Sequence, residues 1–292
     1  MFITGASRGF GLAAAHELLD RGHRVVATMR NPERDGPAVQ ADYGDRVALT
    51  RCDVVDSASV DEAVAFAQDR FGHIDAVFNN AGYGLYGPVE ELQDDEVQRQ
   101  FDTNVGGQIR VVRAAIPAMR QRGQGRIINV SSVAGRVSSP LMGLYAASKH
   151  AVEASTLALR FEVEAAGIEV TMLEPGMFVS DWQFESLDVT AAVRESRSVM
   201  QDVVDETLDA FRALAGSRPG SQAVAIAVAD IVGLEQRLPM RWPVGEDTLY
   251  RFAELDKLTD RQWEEQQRVS DAPGGVFMRA NERANQRSGN AG

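Results

Sequence analysis

Thr4-Gly5-Ala6-Ser7-Arg8-Gly9-Phe10-Gly11 is the stretch that decides the fold of this 292-residue chain. Residues 2–4 read as a short strand. Beyond the turn, a helical pattern carries Leu12, Leu18 and Leu19 on its apolar side and stops at Gly22. A glycine-rich turn between a first strand and a first helix lets a pyrophosphate approach main-chain N–H groups, where the helix dipole favours negative charge. The spacing is G-x-x-x-G-x-G rather than the commoner G-x-G-x-x-G, and such a turn alone is often only a turn. Its setting in the chain is what assigns it to a dinucleotide.

That setting is a regular alternation. Residues 24–29 read as a second strand and 47–51 as a third. Asp56 suits the N-cap of a helix with Val60, Ala63, Val64 and Ala67 at helical spacing. Residues 74–79 form another buried strand, 94–121 one long amphipathic segment, 126–131 a β-branched run, 144–166 a helix ended by Gly167, and 169–173 a further strand. Alternation of this kind implies parallel strands joined by right-handed crossovers. The expected fold is α/β, a Rossmann-type doubly wound parallel sheet of about seven strands with helices on both faces. Helices at 201–215 and 222–233 and a short strand at 239–245 follow. Residues 1–279 are expected to form one domain, with a C-terminal helical substrate lid within about 177–218 and a disordered tail at 280–292.

Composition narrows the function. With 44% hydrophobic and 25% charged residues the chain is not a disordered polymer. Its 30 Lys plus Arg against 42 Asp plus Glu give a net charge of -12, which disfavours nucleic acid and anionic membranes as partners. Cys52 stands alone and cannot form a disulfide within the chain. The start does not read as a signal peptide, and no eighteen apolar residues run uninterrupted, so a soluble cytoplasmic protein is expected. His16, His23, His73 and His150 show no ligand spacing, and no metal site is expected.

The cofactor can be narrowed too. NAD-binding folds place an acid at the end of the second strand to hold the adenosine ribose. Here that position is Met29, followed by Arg30, and Arg8 lies inside the turn. Two guanidiniums without an opposing acid suit a 2′-phosphate, so NADP(H) is favoured over NAD(H). The alternative is two solvated surface arginines in a chain that has 28 of them.

Tyr145-Ala-Ala-Ser-Lys149 sets a phenol and an ammonium at i and i+4 on one helix face. A free tyrosine titrates near about 10, and an adjacent cation favours the phenolate, bringing the group towards acid–base range. The pair alone is a weak signal, but Lys149 is one of two lysines in the chain, the other being Lys257. A chain that uses arginine almost everywhere has placed a compact three-donor ammonium beside this tyrosine.

With these pieces in place the chain resembles the short-chain dehydrogenase/reductase family in its compact form. The matching residues are Thr4–Gly11, Asp53-Val54, Asn79-Asn80-Ala81-Gly82, Asn104, Ser132, Tyr145, Lys149 and Pro175-Gly176, in the family's order. The likeness is strong to about residue 190 and looser beyond, nearest to the 17β-hydroxysteroid-dehydrogenase-like branch. It implies that Tyr145 exchanges a proton with the substrate oxygen and that Ser132 hydrogen-bonds that oxygen. It further implies that Lys149 holds the nicotinamide ribose and lowers the phenol pKa, and that Asn104 anchors a water leading to solvent. By the same resemblance Gly5, Ser7, Arg8, Gly9, Phe10 and Gly11 cradle the pyrophosphate. Asp53 and Val54 flank the adenine, Asn80, Ala81 and Gly82 line the adenosine side, and Pro175, Gly176, Met177, Phe178 and Ser180 meet the nicotinamide end. Asn79 is expected to tie strands together. Family members are commonly homodimers or homotetramers.

The loops beyond the later strands offer Leu85, Tyr86, Val137, Met142, Met177, Phe178, Trp182 and Phe184. They suggest an apolar pocket for a medium-to-bulky ketone or secondary alcohol, although several would equally serve to pack a lid on the core. Two functions remain open: an NADP(H)-dependent carbonyl reductase or alcohol dehydrogenase, and a catalytically idle NADP(H)-binding sensor or scaffold. Idle relatives commonly lose the tyrosine or the lysine, and this chain keeps both.

Overall fold

The computed structural model describes residues 1–40, 43–178, 187–215, 220–259, 261–262 and 265. Seven strands form one sheet: β1 (Phe2–Ile3), β2 (Val25–Met29), β3 (Val47–Arg51), β4 (Ala76–Asn79), β6 (Gly125–Val130), β7 (Ile168–Pro175) and β9 (Arg241–Val244). Their order is β3-β2-β1-β4-β6-β7-β9 and every pairing is parallel. The chain winds outward from β1 through β2 to β3, then returns to lay β4 on the other side of β1. That reversal creates a crevice at the carboxyl ends of β1 and β4, where ligands bind in open α/β sheets.

The strands are apolar on both faces because both faces are covered. Side chains alternate between two cores: Ile3, Val25, Ala27, Phe78 and Ile128 go to one, and Phe2, Val26, Val77 and Ile127 to the other. Helices α1 (Gly9–Asp20) and α7 (Gln222–Gly233) cover the first face with Ala14, Leu18, Val224 and Val228. On the second, α2 (Ser57–Phe71), α4 (Gly107–Arg122) and α5 (Gly143–Glu164) contribute Val60, Val64, Val111, Met119 and Val163. Asp56 caps α2 as expected, accepting from the Ala58 N–H at 3.0 Å.

Three features depart from the expectations. The segment 94–121 is not one helix: α3 (Asp94–Phe101) passes into a π-helical turn over Asp102–Gly106 before α4 begins. A second sheet, which the sequence did not suggest, pairs β5 (Gly84–Tyr86) in parallel with β8 (Leu187–Val189). Within the lid region the helix expected at 201–215 is present as α6 (Gln201–Ala215), and the third departure is a short helix before it at Ala191–Arg194. The rest of the lid, 179–186 and 216–219, and the tail 280–292 lie outside the described residues. Helix α8 (Glu246–Leu255) follows β9. Among the described residues no helix is long and apolar enough to cross a membrane.

Candidate active site

The turn after β1 is locked from behind by β4. The Asn80 side chain donates to Thr4 O at 3.0 Å and Gly5 O at 3.1 Å, while the Thr4 hydroxyl accepts from the Asn80 and Ala81 N–H groups, each at 3.0 Å. The assembly tolerates no side chain at Gly11, where a Cβ would lie 2.3 Å from Gly5 O. At Gly9, φ is +56° and a Cβ would meet nothing within 4 Å, so the backbone here faces open space. Arg8 occupies the N-cap of α1 with no side-chain cap bond, and no acidic residue sits in the first turn. A pyrophosphate fits this cradle: backbone approach, an uncapped helix start and a nearby guanidinium all favour an anion. Asn80 therefore serves by holding the cradle's shape, and Thr4 was missed as its partner.

Asn104 lies in the π-helical turn, fully buried. Its amide donates to Tyr83 O (2.9 Å) and Ser148 Oγ (3.1 Å) and accepts from the Tyr83 N–H (3.0 Å). Arg110 staples the turn, donating to Asp102 Oδ1 at 2.5 Å and reaching Val54 O at 3.1 Å. Such single-turn π segments are frequent at functional sites. The apolar spacing of the segment runs through the bulge without a break, so nothing in it signalled the extra residue.

Ser132, Tyr145 and Lys149 converge at the carboxyl end of β6. Ser132 caps the turn after the strand, its Oγ accepting from the Ala134 N–H at 3.1 Å, and hydrogen-bonds the Tyr145 phenol. Lys149 donates to Val130 O at 2.8 Å, and its Nζ lies 5.7 Å from the centre of the Tyr145 ring. Burial pushes the phenol up to about 12 against the opposing effect of Ser132, and pushes Lys149 down to about 8 against the attraction of Glu153. The expected lowering of the phenol is thus corrected. Both groups are buried, and desolvation outweighs every favourable contact. Behind them Asn79 ties β4 to β6 as expected, donating to Asn129 Oδ1 at 2.9 Å, and Asn129 passes the chain to Thr156 on α5.

Around the crevice, Asp53 and Val54 follow β3. The Asp53 N–H donates to Ser59 Oγ at 3.0 Å, and Val54 packs where a Cβ on Gly107 would stand 2.8 Å from it. Ala81 abuts Gly5 and Gly82 abuts Asn104. Arg30 is exposed and Arg8 half-buried, but the notion that no acid opposes them is corrected. Asp35, six residues after Met29, feels both guanidiniums, although Arg34 engages it foremost at 2.7 and 3.0 Å and holds its carboxyl low. Past β7, Gly176 packs on Asp247, whose carboxylate also accepts the Met177 N–H at 2.9 Å. Phe178, expected at the nicotinamide end, is 3% exposed and packs edge-on against Phe10 with ring centroids 5.9 Å apart.

A glycine cradle at a sheet switch point, with a buried Ser–Tyr–Lys cluster two strands away, matches a known family. The short chain dehydrogenase profile covers residues 1–188. The chain belongs to that family. This short-chain dehydrogenase is 35% identical over 268 residues to Oxidoreductase BOA17 of Botryotinia fuckeliana, covering 90% of this chain and 96% of that one. It is 32% identical over 281 residues to the probable short-chain type dehydrogenase/reductase VdlC of Helicobacter pylori, with 88% and 98% covered. In three dimensions it matches a short-chain dehydrogenase of Streptomyces avermitilis with a TM-score of 0.73 and 30% identity over 92% of this chain and 96% of that one. A Burkholderia cenocepacia member in complex with NADP gives 0.71 and 25%, with the same coverage. The protein is an oxidoreductase of the short-chain type.

On the substrate side, the residues proposed for the pocket separate into two groups. Tyr86, 1% exposed, packs with Leu141, Val193, Val204 and Leu208 and so fastens the lid to the body, the second of the two roles open to it. Leu85 is buried, its N–H bound to Gln100 Oε1 at 2.8 Å. Met142 joins this apolar cluster to Tyr145 and Ala134, while Val137 is buried in the turn after β6 and Met177 sits apart beside Asp247. Ser180, Trp182 and Phe184 lie outside the described residues. Leu141 was not anticipated: its backbone is left-handed (φ 66°), a conformation uncommon for a branched residue and one that places its side chain under Tyr86. A buried carboxylate, Glu96, also went unforeseen. It accepts the Ala191 N–H at 2.7 Å and the Gln93 N–H at 3.0 Å, tying the lid to α3.

Proposed function

We propose that this short-chain dehydrogenase interconverts a ketone and a secondary alcohol using NADP(H), on a medium-to-bulky, mostly apolar substrate. The observation that carries the reading is the buried Ser132–Tyr145 hydrogen bond with the Lys149 ammonium beside the ring. Tyr145 gives its proton to the carbonyl oxygen in reduction and takes it back in oxidation. Burial raises the phenol and so favours the protonated form that reduction requires. Ser132 hydrogen-bonds the same oxygen as charge develops on it. Lys149, fixed on Val130 O, would reach the nicotinamide ribose, and Asn104 would anchor a water that links Lys149 to solvent. When bound, the dinucleotide supplies the hydride. Asp53, Val54 and Asn80–Gly82 would hold its adenosine end, and Arg8 and Arg30 its 2′-phosphate. The B. cenocepacia relative's complex with NADP supports that choice.

The test is a carbonyl library, apolar against small anionic members, followed by NADPH consumption. Preferential turnover of the apolar ketones is expected. Preference for the anionic ones overturns the substrate class, and NADPH binding without turnover of any member returns the chain to the idle sensor.

A further inference from the structure

Outside the dinucleotide crevice, one chain of charges leads away from Lys149. Glu153 stands one turn further along α5, Glu174 is the penultimate residue of β7, and Arg241 is the first residue of β9. Arg241 Nη1 donates to Glu153 Oε2 and, at 2.5 Å, to Glu174 Oε1. Glu174 has no exposure to solvent and Glu153 is buried, so a single guanidinium serves two buried carboxylates. As a device for stability this is poor, since desolvating the extra charge opposes folding. Above about pH 7, where Glu174 is ionised, a second cation balances the set. Lys149, four residues before Glu153, lies on the same face of α5 and is equally buried.

The free edge of Glu153 lies against the turn that follows Ser132. Its Oε1, the oxygen Arg241 leaves, is buried without a hydrogen-bond partner, as is Ser131 Oγ. Both press on Gly135 in the turn after Ser132, where a Cβ would stand 2.9 Å from Glu153 Oε1 and 2.5 Å from Ser131 Oγ. That turn wedges the carboxylate in place. We propose that Glu153 is a positioning residue for the reaction: gripped by Arg241 and wedged at Gly135, its carboxylate keeps Lys149 in the ammonium form beside Tyr145. The inference rests on the role of Lys149 proposed above.

The surrounding charges agree with this assignment. Burial drives Lys149 towards the free amine, and Glu153 is the group that opposes it. From β9 the cluster receives Arg241 and from β7 Glu174. From the turn after β6, Arg136 acts on Glu174 and is itself paired with Asp256 at 2.9 Å. On α5 itself the titratable neighbours are Tyr145, Lys149 and His150, whose ring is bound to the Ala146 carbonyl at 2.9 Å. A strand from the C-terminal third, outside the family match, thereby sets the charge of the catalytic lysine.

Having only two lysines makes the test direct. Labelling the full-length protein with carbon-13 at lysine Cε gives two signals, and Lys257→Arg assigns them. The titration midpoint of Lys149 is then read in wild type, Glu153→Gln and Glu153→Asp. Glu153→Gln is expected to lower the midpoint by about one pH unit, a tenfold loss of ammonium on the alkaline side, and Glu153→Asp to lower it by less. An unmoved midpoint in either variant overturns the inference, so a glutamine variant that fails to fold leaves the aspartate to decide. The alkaline limb of NADPH-dependent turnover should follow the midpoint. Turnover with an unmoved midpoint keeps the oxidoreductase reading and removes Glu153 from it. A midpoint that moves in a protein without turnover does the reverse.

Discussion

The ammonium of Lys149 hangs on the carbonyl of Val130, the last residue of β6, at 2.8 Å, and Gln108 donates to that same oxygen at 3.1 Å. Two donors on one strand-end carbonyl fix the cation relative to the sheet rather than to its own flexible stem. The phenol of Tyr145 is held by Ser132 from the same strand end. Removing the phenol oxygen should therefore leave the scaffold undisturbed. Tyr145→Phe is expected to bind NADPH as wild type does while kcat falls by about 10²–10⁴-fold, the usual worth of a positioned acid–base group. Binding by fluorescence and turnover by absorbance check the two halves, and turnover near the wild-type rate would remove Tyr145 as the proton donor.

Cofactor choice should respond to the charges beyond β2. Arg30→Asp puts a carboxylate where a 2′-phosphate would lie and is expected to move kcat/KM towards NADH. Asp35→Asn removes a carboxylate whose charge acts at a distance on Arg8 and Arg30 and is expected to lower KM for NADPH, more at low than at high ionic strength. Equal efficiency with NADH and NADPH in the wild type would contradict both expectations.

Glu174 gives the protein a pH-dependent component of stability. Burial, then the neighbouring Glu153, raises its carboxyl from 4.5 to about 7 despite Arg241. A group whose pKa rises on folding favours the native state fully below its unfolded value and loses that contribution as pH climbs to the folded one. Wild type should therefore lose Tm, through this group, between about pH 4.5 and 7. Glu174→Gln should show a flatter profile across that window in thermal scans, and an unchanged slope would assign the pH dependence elsewhere.

The lid can be loosened without touching the crevice. The Glu96 carboxylate accepts two backbone N–H groups, whereas a carboxamide can accept one and turns its NH₂ towards the other. Leaving that buried N–H unpaired costs about 1–3 kcal/mol. Glu96→Gln should raise KM for a bulky ketone and speed proteolysis within 187–215, with NADPH affinity unaltered. A parallel loss of NADPH affinity would show that the lid and the crevice are not separable.

Much of this was legible in the primary structure, for physical reasons that also mark the limit. Strands β2, β4 and β6 are buried on both faces, so their apolar runs announced a covered parallel sheet, and the glycines after β1 announced the crevice. Tyr145 and Lys149 share one helix turn, and local spacing suffices to pair them. Asn104 was found as a residue but not as part of a π-helical turn, because Val97, Phe101, Val105 and Ile109 keep a four-residue apolar spacing that an α-helix also allows. Asp35 escaped because how near its charge comes to Arg8 depends on the path of the loop after β2. Glu153, Glu174 and Arg241 come from three elements far apart in the chain, and only the parallel register of β7 with β9, which sets Glu174 opposite Pro243 two residues on from Arg241, unites them.

That register carries one more implication. All four residues assigned to catalysis precede residue 150, yet the sheet is not closed until Arg241–Val244 docks on Met172–Pro175. A chain shortened before that point would keep Asn104, Ser132, Tyr145 and Lys149 and still present β7 as a bare, sticky margin, with Glu174 stripped of its counterion. Self-association would then compete with maturation. The C-terminal third is thus a licence to fold as much as an accessory to specificity, and limited proteolysis should never release an active N-terminal fragment.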